Sequence, residues 1–99
     1  MEPIEINAGA WYLRARRPQD WEGGVRYAWD VCEPVTGDPV AEVALVPSSR
    51  EHAVLEARPA EGAAAAPRAI ADVLPSVTGA GRGALGFTTI DDAGAGTDR

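Results

Sequence analysis

The sequence predicts a mixed α/β (α+β) domain: a mostly antiparallel sheet in which a β-hairpin is followed by a βαβ unit. Three observations predict it. Two alternating apolar runs, at residues 25–32 and 40–46, flank the turn formers EPVTGDP, and period-two alternation on both sides of such a cluster marks a hairpin. Ile70, Val73, Leu74 and Val77 fall at i, i+3, i+4 and i+7, a single helical face. Strand-like runs lie on each side of that helix, HAVLEA before it and ALGFTTI after it. Strands joined through one helix lie parallel with a right-handed crossover.

The elements follow in order. Residues 2–15 read as one or two short strands, with Ile4 and Ile6 alternating with polar residues and Asn7-Ala8-Gly9 allowing a turn. Pro18 ends this run, since proline cannot continue a ladder. Residues 21–24 read as a short connector. In the hairpin, Tyr27, Trp29 and Val31 share one face, and Arg26, Asp30 and Cys32 the other. Ser48 and Ser49 sit in a loop, and residues 52–57 form the next strand. Pro67 suits the first turn of a helix, where a missing N–H costs nothing. Pro75 should kink or end that helix, and the glycine-rich residues 78–83 should be flexible. Residues 84–90 are the last strand. The chain is thus expected to form one domain over residues 1–90 with a disordered tail at 91–99.

Composition narrows the function classes. Ninety-nine residues make one small domain with a limited core, and alanine supplies much of the apolar content. All nine basic residues are arginine, and the net charge is −6, which argues against nucleic acid as a partner. Arg14, Arg16 and Arg17 form a local basic spot, read either as a solvated strand end or as an anion site. One cysteine excludes an internal disulfide, the start MEPIEI does not read as a signal peptide, and no run approaches the ~20 apolar residues of a membrane span. The expected location is cytoplasmic, with no membrane partner.

Few residues carry chemical potential. The run EGAAAA precedes the helix, and small residues there let backbone N–H groups approach an anion at a helix start; composition alone, with one glycine among alanines, favours an alanine-rich start without function. Glu42, on the second hairpin strand, is either a general base acting through water or a solvated face residue. His52 has no paired carboxylate or cysteine at a useful spacing, and Cys32 reads as a buried, inert thiol. Trp11, Tyr27, Trp29 and Phe87 read as the main packing of a poor core, or as a pocket lining.

The wording W-x-V-x-E-P-x-T-G followed by E-V-x-L resembles the central hairpin of GNAT-type acyl-CoA N-acyltransferases. INAGAWYLRARRPQDW is similar to that family's first strand, HAVLEA to the strand that pairs with the pantetheine arm, and GALGFTTI to the strand after the cofactor-binding helix. The resemblance implies a truncated GNAT-like fold with acetyl-CoA as cofactor and a small-molecule amine as acceptor. It places the cofactor along Leu55 and Ala57, with the loop Gly62, Ala63, Ala64, Ala65 and Ala66 on the pyrophosphate, and Glu42 as the catalytic base. The chain departs from the family at three points. In the cofactor loop, one register puts Glu61 where a Gln or Arg is expected and Ala64 where the first glycine is, and the other makes Gly62 that glycine but puts Pro59 at the Gln or Arg position; only residues 21–24 replace two helices, and the tail DDAGAGTDR stands where a further helix and two strands are expected. These departures imply impaired or no catalysis and weak or absent cofactor binding. The alternative is a non-catalytic interaction module, acting as a homodimer or with a partner protein. On either reading, a sheet without its covering helices should expose Tyr27, Trp29 or their neighbours, and at least one strand edge, and favour assembly.

Overall fold

The computed structural model describes residues 2–92. Six strands and two helices follow in the order β1 (Ile6–Ala8), β2 (Trp11–Arg16), α1 (Pro18–Gly23), β3 (Tyr27–Cys32), β4 (Pro39–Pro47), β5 (His52–Pro59), α2 (Ala66–Gly83) and β6 (Thr89–Asp92). The strands lie side by side in chain order, β1-β2-β3-β4-β5-β6. Every neighbouring pair is antiparallel except β5 and β6, which are parallel and joined through α2. The mixed, mostly antiparallel sheet with a hairpin and a βαβ unit is therefore present.

The hairpin forms where the alternation places it. Tyr27 pairs with Leu45, Trp29 with Val43 and Asp30 with Glu42. Its turn closes through the Glu33 N–H on the Asp38 carbonyl at 3.0 Å, with Gly37 at φ 78°, a left-handed value that glycine adopts without a Cβ penalty. A register shift between Val31 and Cys32 marks the turn end of the ladder.

The core lies between the sheet and α2. Trp11, Leu13, Trp29, Val31, Val43, Leu45 and Leu55 project from one sheet face and meet Ala66, Ala69, Ile70, Val73 and Val77 of the helix. Two indoles also tie elements together. Trp11 Nε1 donates to Asp72 Oδ2 of α2 at 3.0 Å, and Trp29 Nε1 donates to the Ile4 carbonyl at 2.7 Å. Gly81 permits the last turn of α2 to sit down on the sheet, because a Cβ there would lie 2.8 Å from both Ile90 Cδ1 and Leu45 Cδ1.

Four expectations are corrected. The connector at residues 21–24 belongs to a helical turn, α1, started by Pro18 and ended by Gly24 at φ 67°. Through it Trp21 packs edge-on against Tyr27 and Trp29, with ring centroids 5.1 Å apart in both pairs. Trp29 is accordingly 0% exposed and Tyr27 half-buried, so the aromatic face expected to be open is filled. Pro75 does not end the helix: α2 runs on to Gly83, and residues 78–83 are helical. The last strand starts at Thr89 and includes Asp91 and Asp92, since Gly86 at φ 82° turns the chain after the helix. The rest of the expected tail, residues 93–99, lies outside the described residues.

Candidate functional site

The sheet face opposite α2 carries no helix among the described residues, and its chemistry comes from strand register. Arg14 of β2 pairs with Asp30 of β3, Asp30 with Glu42 of β4, and Glu42 with Arg58 of β5. Side chains of directly paired residues point to the same face, so these four form one row across the sheet. Two carboxylates stand side by side at its centre, which alone would be repulsive. Arginines from both ends and from the neighbouring row resolve this. Arg16 Nη1 lies 2.9 Å from Asp30 Oδ1 and 3.9 Å from Glu42 Oε1. Arg14 lies 3.9 Å from Asp30 Oδ2, and Arg58 Nη2 donates to Glu42 Oε1 at 3.2 Å. Arg26 donates to Glu42 Oε2 at 3.4 Å and to Glu56 Oε1 at 2.9 Å.

This network also serves as a roof. Ala28, Cys32 and Ala44 are buried although they lie outside the core beneath α2. Arg26 starts next to β3 and reaches Glu56 on β5, so its side chain crosses above Ala44 on the intervening β4. Long arginine stems cover small apolar residues while their charged ends stay hydrated. The hydrogen bond to Glu56 holds the Arg26 guanidinium protonated beyond its ordinary range, and Glu42 adds to this. Burial pushes the Cys32 thiol upward, opposed by the charge of Arg14. A thiol kept protonated and covered is a poor nucleophile.

Glu42 is thus half-buried in the row, with both carboxylate oxygens engaged by arginines. It faces away from α2, alongside Asp30. His52 lies exposed at the start of β5, its Nδ1 3.1 Å from Ser49 Oγ. The residues expected to hold a cofactor lie elsewhere. Leu55 and Ala57 pair with Leu45 and Val43 of β4, and β6 pairs with β5 only as far as Leu55 with Asp92. Residues 56–59 have no β6 partner among the described residues.

The loop Gly62, Ala63, Ala64, Ala65, Ala66 leads into α2, with Gly62 at φ 77°. Two of its amides are spent on its own turns: Ala63 N–H donates to the Ala60 carbonyl at 3.1 Å, and Ala66 N–H to the Ala63 carbonyl at 3.2 Å. Pro67 has no N–H to offer. Glu61 is exposed in the same loop, a negative charge where a pyrophosphate would bring more. These residues fit the phosphates of coenzyme A poorly.

The Arg14–Asp30–Glu42–Arg58 row is the feature that sequence reasoning missed. Its members are 16, 12 and 16 positions apart, a spacing set by turn lengths and not by any local motif. The only available signal was the polar phase of each alternating strand, matched across the hairpin. Comparison with protein-family models, with curated proteins and with solved structures finds no match.

Proposed function

We propose that the chain is a GNAT-like domain, related to acetyl-CoA-dependent N-acetyltransferases, in which catalysis has been lost. The observation that carries this reading is the state of Glu42. A general base takes its proton on a carboxylate oxygen, and both oxygens of this one already accept hydrogen bonds from arginines, which compete with any acceptor amine for them. Support for the relationship comes from the parallel β5–α2–β6 crossover beside an antiparallel hairpin. The cytoplasm is the compartment this reading implies.

Calorimetric titration with acetyl-CoA tests it. Weak or undetectable binding is expected for the natural chain. The substitution Glu61→Arg should strengthen binding by about 1–2 kcal/mol, because it replaces a repulsion with a charge-assisted contact. Tight binding by the natural chain, unaffected by Glu61→Arg, together with turnover of any amine acceptor, would sink the proposal.

A domain without chemistry retains binding as its role, and the second reading is a non-catalytic interaction module that acts as a homodimer or on a partner protein. It is favoured by the charged sheet face opposite α2, which no helix covers among the described residues. Light scattering coupled to size exclusion should then give twice the monomer mass at high micromolar concentration. A cooperative monomer there removes the homodimer.

A further inference from the structure

A cavity of about 180 Å3 opens at one end of the charged row. Arg16, Asp30, Glu42 and Arg58 supply its polar lining, and Pro39, Ala41, Pro59 and Ala60 its apolar lining. We infer that this cavity binds a small monocarboxylate with a short apolar body. The inference does not rest on the GNAT-like reading.

Charge comes first. In the cavity wall Arg16 and Arg58 stand against Asp30 and Glu42, and the network that continues from it adds Arg14 and Arg26 against Glu56. One positive charge is left over, and a monoanion restores balance. The layering points the same way. The two acids of the wall are only 19% and 20% exposed, whereas its arginines, Arg16 and Arg58, are 36% and 70% exposed. A ligand arriving from solvent therefore meets guanidinium groups before carboxylates.

Hydrogen-bonding capacity comes next. Arg16 meets the acids through Nη1 alone and Arg58 through Nη2 alone. A guanidinium carries five N–H donors in a planar fork suited to a carboxylate, so each retains donors beyond those contacts. The apolar wall completes the lining. Pro39 and Pro59 offer no backbone N–H, and the Ala60 N–H is already bonded to the Val40 carbonyl at 2.9 Å. Proline rings at two strand ends also hold that wall in place before a ligand arrives.

The test is a backbone-amide NMR titration with sodium butyrate, with sodium chloride and butylammonium chloride as matched controls. Saturable shifts at Ala41, Glu42 and Ala60 are expected with butyrate alone. Arg58→Gln should weaken binding about tenfold, as loss of a charge-assisted hydrogen bond at a partly exposed site suggests. Arg16→Lys keeps the charge, loses the fork and should weaken it less; it serves if Arg58→Gln fails to fold. Arg68→Gln, on an exposed side chain of α2, should change nothing. Equal shifts with chloride, saturation by butylammonium, or indifference to both site substitutions overturns the proposal.

Discussion

Trp29→Ala is expected to cost about 3–5 kcal/mol of folding stability, the range for removing a large aromatic side chain from a packed core. Trp29 is 0% exposed at the centre of the sheet, edge-on to Trp21 and paired across the hairpin with Val43. Its indole N–H also anchors the segment before β1 through the Ile4 carbonyl. A domain of this size has a total stability of about 5–10 kcal/mol, so the loss should leave a large unfolded fraction. Trp29→Phe separates the contributions. It keeps an aromatic ring and loses the bond to Ile4 and part of the volume, and about 1–2 kcal/mol is expected. Urea unfolding followed by far-ultraviolet circular dichroism measures both. A loss below about 1 kcal/mol for Trp29→Ala would mean that the Trp21–Trp29 packing does not hold the sheet together.

That packing also marks how far the sequence could be read. The hairpin was legible because alternation and turn chemistry both act over a few residues. The βαβ unit was legible because helical spacing from Ile70 to Val77 is equally local. Trp21 was not. It occupies a four-residue stretch that reads as a connector, and only the path of the chain after Pro18 turns its ring onto Tyr27 and Trp29. The expectation of an exposed aromatic face failed for that reason, and with it the exposed-aromatic argument for assembly. Residues 78–83 carry three glycines, a composition that reads as loop, yet Gly81 is helical and buried because the sheet needs a residue without a Cβ there. Tertiary contact overrides propensity at such a position.

The candidate site divides along the same line. Leu55 and Ala57 could be placed from local pattern alone, since a strand and its register partner are enough. The surroundings of Glu42 could not, because Arg16, Arg26 and Arg58 come from three other parts of the chain. A carboxylate on an alternating strand gives no sign in the sequence of whether water or arginine meets it. The helix start was partly legible: its small residues are where expected, but hydrogen bonds within residues 60–66 depend on turn geometry that composition does not specify.

Pro75→Ala is expected to raise stability by about 2 kcal/mol. Proline in a helix interior is about 3 kcal/mol less favourable than alanine, because it removes one backbone hydrogen bond and presses its ring on the carbonyl four residues back. Pro75 lies well inside α2, its side chain is exposed, and the helix continues past it to Gly83. Ala71 is the residue whose carbonyl would regain its partner. Against this gain stands the wider unfolded ensemble of the alanine variant, a loss of about 0.4–1 kcal/mol. Gly79→Ala is the reference: Gly79 is an exposed helical position where a Cβ meets nothing within 4 Å, and about 1 kcal/mol should be gained there from propensity alone. The two sites are four residues apart on one helix, so the double variant also reports whether the turn between them responds as a unit. If Gly79→Ala stabilises the protein and Pro75→Ala does not, the proline fixes a bend that Val73 and Val77 require to reach the sheet together, and its cost is offset by their burial.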